Sequence, residues 1–227
     1  MSHSRAIPTL HVEGRDDLYT IAELLRRHGV DMSEPKRPFT ILPAKDPATS
    51  VEGVGPLLAN MADAIRNATD RPVGFVLDVD VKTGDRWSAV SAKLKAAGVV
   101  PPGTCPPNGY FGQVPGYPHR VGVWMMPDCV KDHGKLEHLL ETLMPANDPV
   151  WPLAETSTDQ AKKLGAGFRD VDRQKAVVHC WLAWQKDPGV PFGTAINAKF
   201  LGCDSPEARA FVRWLRDLYN LQGLQNI

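Results

Sequence analysis

Hydrophobic and polar positions along the chain fall into blocks that predict strands followed by amphipathic helices. Short apolar runs typical of strands lie at 9–13, 38–42, 73–77 and 120–126. The run 73–77 is apolar throughout, which indicates a strand covered on both faces of a parallel sheet. Apolar residues recur at helical spacing over 18–28, 54–68, 85–97 and 136–143. This alternation predicts an α/β fold with a mainly parallel sheet flanked by helices.

Two segments depart from that alternation. Residues 99–119 are rich in proline and glycine, which predicts a loop or an irregular hairpin. After about residue 145 the periodicity is helical only, over 149–164, 170–185 and 205–219. We therefore expect a sheet-containing domain at 8–145 and a helical C-terminal extension at 146–227 that packs on it.

Composition excludes several classes of protein. The 227 residues are 43% hydrophobic and 23% charged, and no stretch approaches the roughly 18 uncharged apolar residues of a membrane span. Lys plus Arg and Asp plus Glu are 26 each, so a nucleic-acid surface would have to be local. The N-terminus lacks the apolar core of a signal peptide, and the four cysteines show no CxxC spacing. These features predict a cytoplasmic protein with no membrane partner.

Acidic residues follow the predicted strands. Glu13 ends the first strand with Asp17 shortly after it, and Asp78 and Asp80 follow the run 73–77. The carboxyl ends of parallel strands meet at one edge of a sheet, and an extended chain would point Asp78 and Asp80 to the same side. Two carboxylates ~4 Å apart repel by about 4 kcal/mol at an effective dielectric of 20, so the cluster needs a cation. Oxygen ligands without nearby His or Cys favour Mg²⁺ or Mn²⁺.

These motifs resemble those of a known catalytic domain. The order VEGRDD, then VLDVD with its first aspartate 65 residues after the glutamate, resembles the Toprim domain of topoisomerases, bacterial primases, ribosomal-RNA maturases and OLD (overcoming lysogenization defect) nucleases. With VGVWMMPD and LAWQKDPGVPFGTAI, the overall likeness is to a family of small stand-alone Toprim-like proteins without an established function, related to the OLD-type nucleases. The resemblance implies a Toprim-like, Rossmann-like domain over residues 8–145.

The resemblance also implies roles for the acids. Glu13 matches the family's glutamate, a metal ligand or general acid/base, and Asp78 and Asp80 match its magnesium-binding pair. Asp17 matches a further acid of OLD-type nucleases, and Glu137 resembles the acid that helps hold their second metal. We therefore expect all five to be metal ligands.

Basic residues in the C-terminal extension suggest where a phosphate would lie. Lys175 resembles the late catalytic lysine of OLD-type nucleases, which would neutralise charge developing on the phosphate. Arg209, Arg213 and Arg216 recur at i, i+4 and i+7 on the last predicted helix, so they would form a basic stripe. The stripe is a candidate surface for binding substrate, and a solvated helix face is the alternative.

Some features depart from the Toprim pattern. Topoisomerases and primases usually read DxDxxG, whereas Gly84 follows Asp80 by four residues. The chain has no room for a strand-breaking tyrosine domain or a primase zinc module, and no GxxxxGK[ST] motif of an ATPase occurs. The departures favour the OLD-like, stand-alone group over the larger enzymes.

The resulting hypothesis is a magnesium- or manganese-dependent phosphodiester hydrolase, a nuclease acting on DNA or RNA. The alternative is a non-catalytic regulatory protein that binds metal and nucleic acid or nucleotide. A DxD glycosyltransferase is a weaker alternative, because it leaves Glu13 and Asp17 without a role. A homo-oligomer or a protein partner stays open.

Overall fold

The computed structural model describes residues 7–80, 82–222 and 224. The first part of the chain alternates between strands and helices: β1 (Thr9–Val12), α1 (Arg15–Arg27), β2 (Thr40–Pro43), α2 (Val54–Asn67), β3 (Val73–Asp78), α3 (Thr83–Ala96), β4 (Tyr110–Gln113), β5 (Arg120–Met126) and α4 (Leu136–Thr142). The rest is helical: α5 (Trp151–Lys163), a 3₁₀ turn (Asp170–Asp172), α6 (Arg173–Leu182), α7 (Phe192–Asn197) and α8 (Pro206–Tyr219). Within these ranges, no helix combines the length and the apolar character needed to cross a bilayer.

The five strands form one sheet in the order β2-β1-β3-β5-β4. All neighbouring pairs are parallel except β4 with β5. The β1–β2 and β2–β3 connections run in opposite directions across the sheet, so right-handed crossovers place α1 and α2 on opposite faces. After β3 the chain continues in the same direction across the sheet as it did from β2 to β3, and helix α3 contacts α2. The predicted α/β class, a mainly parallel Rossmann-like sheet flanked by helices, is confirmed.

The segment rich in proline and glycine contains one strand of a hairpin, one of the two structures predicted for it. Its last part forms β4, which completes an antiparallel hairpin with β5. Buried Tyr110 of β4 meets Trp87 of α3 edge-on, with ring centroids 5.4 Å apart. The Trp87 Nε1–H donates to the Pro102 carbonyl at 3.0 Å. Aromatic packing against α3 therefore fixes a segment that lacks helical or strand periodicity over most of its length.

The start of α3 differs from the sequence-based expectation. The helical periodicity of the sequence begins at residue 85, but the helix begins two residues earlier, at Thr83. The backbone N–H of Thr83 donates to Asp132 Oδ1 at 2.9 Å, across 49 residues of sequence. A carboxylate from the loop before α4 therefore satisfies the exposed helix terminus, which a local capping pattern cannot reveal.

Helix α8 packs directly on the middle of the sheet through two glycines. Gly74 of β3 lies opposite Gly122 of β5 in the strand register. A Cβ atom at either position would lie 2.8 or 2.7 Å from Leu218 of α8. The last turn of the helix is also tied to β1, because Tyr219 Oη donates to the Thr9 carbonyl at 2.7 Å. Small residues at the two positions are thus required for the close approach of helix and sheet.

The C-terminal helices pack around the sheet-containing part of the chain. Helix α6 contacts α4 and α5, and α7 contacts α1. At the α1–α7 contact, a Cβ on Gly193 would lie 2.8 Å from the Tyr19 carbonyl oxygen. The periodicity of the sequence predicted α5, α6 and α8 but not the short α7. The domain boundary near residue 145 stays a prediction.

We predict that Gly122→Ala destabilises the protein by about 1–3 kcal/mol, because the new methyl group overpacks against Leu218 and Trp214. Gly55→Ala in α2 is the matched control. No heavy atom lies within 4 Å of a Cβ built there, so we expect unchanged stability or a gain of up to about 1 kcal/mol. Urea unfolding of both variants measures the difference. Equal stabilities would contradict the close approach of α8.

Candidate functional site

Glu13 and Asp78 lie at the carboxyl ends of neighbouring parallel strands and are joined by a hydrogen bond. Glu13 follows β1, and its Oε1 accepts from the Asp78 backbone N–H at 2.8 Å. The Asp78 carboxylate in turn accepts from the Leu136 backbone N–H at 2.9 Å, at the start of α4. Two strands and one helix are therefore tied together through carboxyl oxygens.

Asp17 and Glu137 bring two more carboxyl groups to this place from the first turns of α1 and α4. Both residues are buried, with 8% and 6% of their surface exposed. Asp17 Oδ2 accepts from the Gly14 backbone N–H at 2.9 Å, which fixes the start of α1. Burial of ionisable groups in the first turns of two helices is costly without compensation, so their placement together is an unusual feature of the fold.

The four carboxyl groups line one open cavity of about 300 Å³. We call it the carboxylate pocket. Its described lining residues are Glu13, Gly14, Arg15, Asp16, Asp17, Glu52, Gly53, Asp78, Leu136, Glu137 and Lys175. Of these residues none is His or Cys, so the donor atoms offered by the side chains are carboxyl oxygens and one amine nitrogen. Such a donor set suits hard divalent cations better than zinc.

Crowding of these acids changes their proton affinities. Burial, followed by the charge of Asp78, raises the pKa of Glu13 to about 8. Burial, followed by the charge of Glu13, raises the pKa of Asp17 to about 7. Burial and the charges of Asp17 and Glu137 hold the pKa of Asp78 well above its ordinary value. Near neutral pH the pocket therefore retains protons that free carboxyl groups would release.

Lys175 of α6 reaches the rim of the carboxylate pocket. Its Nζ lies 3.1 Å from Asp16 Oδ2 and 3.7 Å from Glu137 Oε1. Burial disfavours the charged amine, but the hydrogen bond to Asp16 and the charge of Glu137 outweigh it and raise the pKa of Lys175. A helix of the C-terminal part thus supplies a charged ammonium group beside acids from the sheet edge.

Asp80 does not join Asp78 in the pocket, and the expectation that the two point to the same side is wrong. Strand β3 ends at Asp78, and Asp80 has a left-handed backbone with φ 52°. The turn follows from a hydrogen bond of 2.7 Å from the Val79 N–H to the Gly134 carbonyl. The side-chain period of an extended strand therefore does not apply to Asp80.

Instead, Asp80 forms ion pairs with two basic side chains. Its carboxylate lies 2.9 Å from Lys135 Nζ and 3.3 Å from the buried guanidinium of Arg86. The sequence suggested that this acid lacks a partner and stores repulsion, and that suggestion is wrong. Its charge still contributes to raising the pKa of Glu13 and Asp78, so it lies close to the pocket without lining it.

The arginines of the predicted basic stripe lie on α8, and none of them lines the carboxylate pocket. Arg209 forms two hydrogen bonds to Asp204, of 2.7 and 2.8 Å. Arg216 pairs with Asp217 at 2.8 Å. Arg213 is exposed and has no ion-pair partner in the described ranges. Two of the three charges are therefore already compensated by neighbouring acids.

The structure adds Glu52 to the site. Glu52 lines the pocket from the loop before α2, where it accepts from the Arg15 backbone N–H at 3.1 Å and pairs with Lys45 at 3.3 Å. It follows β2 by nine residues, so no strand-end pattern marks it. Asp128, two residues after β5, lies outside the carboxylate pocket, and its Oδ1 accepts from the Val130 and Lys131 N–H groups, as in a turn.

A metal ion would require some rearrangement of these acids. Among the described residues, no three Asp, Glu, His or Cys side chains are already grouped as metal ligands. Burial, the largest cause of the raised pKa values of Glu13, Asp17 and Asp78, penalises their charged forms, and a bound cation would offset that penalty and the smaller repulsion between the acids. The chemistry of the donor set therefore fits Mg²⁺ or Mn²⁺, with Glu13, Asp17, Asp78 and Glu137 as the residues that would hold it.

We predict that the metal-free protein loses stability as the pH rises from about 7 to 8, the upper part of the range between the unfolded and folded pKa values of Glu13. The folded state keeps protons on Glu13 and Asp17 that the unfolded state has already released, so unfolding is favoured as those protons leave. Burial lowers the pKa of the half-buried His11 to about 4, so this residue stays neutral throughout this window. Melting temperatures in EDTA measure the effect. A flat or rising profile would contradict the shared acid cluster.

We also predict opposite effects of neutralising two acids in EDTA at pH 8. Asp17→Asn keeps an acceptor for the Gly14 N–H and removes one repelling charge, so the melting temperature should stay or rise. Asp80→Asn leaves Lys135 and Arg86 without their counter-charge and should cost about 1–3 kcal/mol. Thermal melts compare the two variants. The reverse order would show that Asp80, and not Asp17, carries the repulsion.

The chain matches a known protein family. No match was found among curated proteins or among solved structures. The profile of a family described as "Protein of unknown function (DUF3226)" matches residues 8–220, from the residue before β1 to the residue after α8. This match spans the carboxylate pocket and the helices that complete it, and the chain therefore belongs to this family.

Proposed function

We propose that the protein is a Mg²⁺- or Mn²⁺-dependent phosphodiester hydrolase, a Toprim-like nuclease of OLD-type kinship that acts on DNA or RNA. The observation that carries the proposal is the carboxylate pocket itself. Carboxyl groups from β3, from the residue after β1 and from two helix starts share one open cavity at the carboxyl edge of a parallel sheet. Ligands of open α/β sheets bind at this edge.

The acids of the pocket suit phosphoryl chemistry. Bound divalent cations would supply Lewis-acid stabilisation of the departing oxygen and activation of a water molecule. In the pocket without a cation the pKa of Glu13 is raised to about 8, so a cation that binds there near neutral pH would displace a proton from this residue. Asp78 is kept in place by the Leu136 N–H, so its carboxylate is oriented before a ligand arrives. A nucleophilic side chain is not required in this arrangement.

Lys175 supplies the positive charge that a phosphate needs. Its ammonium group, held between Asp16 and Glu137, lies at the rim where substrate would enter. An incoming phosphate oxygen would replace Asp16 as its partner, because that carboxylate is half exposed and its ion pair is weak. We assign Lys175 the role of neutralising charge on the phosphate during hydrolysis.

Nucleic acid would bind through local contacts, because the net charge is zero. Lys175 and exposed Arg15 line the pocket, and Arg213 on α8 has no ion-pair partner among the described residues. Of the predicted stripe, Arg209 and Arg216 would first have to leave their acidic partners. A cytoplasmic location is part of the proposal, and the four cysteines are free thiols.

One observation favours the alternative of a non-catalytic regulatory protein. Among the residues that the structure describes, the acids are not grouped as ready metal ligands, and Asp80 is held by Lys135 and Arg86 outside the pocket. A protein that binds cation and nucleic acid without hydrolysis would need no more than this. The same placement of Asp80 speaks against a glycosyltransferase, since the two acids of the DxD motif do not line one cavity.

We predict that the purified protein cleaves single-stranded DNA, duplex DNA or RNA with Mn²⁺ or Mg²⁺, and not with EDTA. Asp78→Asn should reduce the rate at least about 100-fold, because it removes a cation ligand. The substitution keeps an acceptor for the Leu136 N–H, so the fold should be unaffected. Asp128→Asn, outside the pocket, is the control and should retain the rate.

Two results would contradict the proposal. Equal cleavage by the wild type and by Asp78→Asn would assign the activity to a contaminant. Melting temperatures that rise with Mn²⁺ in the wild type but not in Asp78→Asn, without cleavage of any of the three substrates, would support the regulatory alternative.

A further inference from the structure

A second cavity lies at the opposite edge of the sheet, and we call it the amino-edge cavity. It has a volume of about 500 Å³, within the range of small-molecule sites. Three of its lining residues come directly before strands: Pro8 before β1, Pro72 before β3 and His119 before β5. The six residues of β3 therefore separate it from the carboxylate pocket by about 20 Å.

The amino-edge cavity is lined by basic and apolar residues. Arg37, Arg71 and His119 contribute to its walls, and the described residues that line it include no Asp or Glu. The two guanidinium groups are mostly buried, with side chains 28% and 23% exposed. Cationic groups partly withdrawn from water in a concave surface attract an anion more strongly than exposed ones do.

The present partners of these arginines are weak competitors for a ligand. Arg37 pairs with Glu34 at 2.6 Å and Arg71 with Asp70 at 2.7 Å. Both acids lie outside the cavity lining, and their side chains are 71% and 54% exposed. Exposed ion pairs contribute about 0–1 kcal/mol, so a ligand anion can replace them at small cost.

Arg37 also has an unused donor. Its Nε is buried and has no hydrogen-bond partner among the described residues. A buried donor without a partner is unfavourable, and an Arg side chain makes its strongest contacts when two of its N–H groups meet one oxyanion. Rotation of the guanidinium from Glu34 towards an anion in the cavity would use this donor.

The apolar walls of the cavity are rigid. Four prolines contribute to them, and Leu218 and Tyr219 come from the end of α8. The Tyr219 ring stacks on Phe39 with centroids 4.0 Å apart, and its Oη is held by the Thr9 carbonyl. Fixed proline backbones and a doubly held tyrosine give a preformed surface for the apolar part of a ligand.

We propose that the amino-edge cavity binds a small organic phosphate. Its phosphate group lies between Arg37 and Arg71, with His119 beside it, and its planar or apolar body packs against the prolines, Leu218 and Tyr219. This binding is independent of hydrolysis in the carboxylate pocket. It gives the sheet a ligand site at each end of its strands.

Isothermal titration and thermal melts in EDTA test the proposal, because EDTA removes cations from the carboxylate pocket. The probes are phenyl phosphate and AMP. Inorganic phosphate tests the phosphate group alone, and phenol and adenosine test the organic parts alone. We expect phenyl phosphate and AMP to bind and to raise the melting temperature more than inorganic phosphate, phenol or adenosine does. Arg37→Gln combined with Arg71→Gln should weaken binding at least about tenfold.

Arg66→Gln is the matched control, since Arg66 also forms an i,i+3 surface ion pair but does not line the cavity. It should leave binding unchanged. If the double variant is unstable, each single arginine variant and His119→Gln should still weaken binding. No binding of either phosphate at millimolar concentration, or equal binding by wild type and double variant, would overturn the proposal. If inorganic phosphate bound as tightly as phenyl phosphate, the proposed contact between the apolar walls and the body of the ligand would be overturned.

Discussion

Withdrawal from water of several neighbouring carboxyl groups is the constraint on which the candidate site depends. Backbone N–H groups of Gly14, Asp78 and Leu136 each donate to one of these acids, so the fold fixes the acids in place. Those hydrogen bonds favour the charged forms, but burial and neighbouring negative charges outweigh them. The arrangement is therefore complete only with bound protons or a bound cation. Lys175, from the C-terminal helices, compensates part of the charge.

Much of this arrangement could be predicted from the sequence. Apolar runs bounded by turn residues predicted the parallel strands. A residue just after such a strand must lie at the carboxyl edge of the sheet. Glu13 and Asp78 were therefore placed correctly, and they are joined by a hydrogen bond. The prediction of Asp17, Glu137 and Lys175 as site residues rested on the resemblance of motifs. Helical spacing alone does not say which helix approaches the carboxyl edge of the sheet.

Other features depend on contacts that no local pattern records. Asp80 leaves the strand direction because Val79 bonds to Gly134, 55 residues later in the chain. Glu52 reaches the pocket from the loop before α2, where its carboxylate accepts from the Arg15 N–H, 37 residues earlier in the chain. Strand β4 owes its order to Tyr110 and Trp87, which are 23 positions apart. In each case a long-range interaction outweighs the local preference, and periodicity contains no information about it.

The outer edge of β2 has a consequence for association between copies of the chain. The strand has four residues and ends in Pro43, whose nitrogen carries no hydrogen. A strand added alongside it would find few main-chain partners, as is usual at sheet edges that avoid aggregation. The opposite edge is the equally short β4, at the end of a hairpin. Contacts between copies would therefore use helix and loop surfaces, and continuous sheets across molecules are disfavoured.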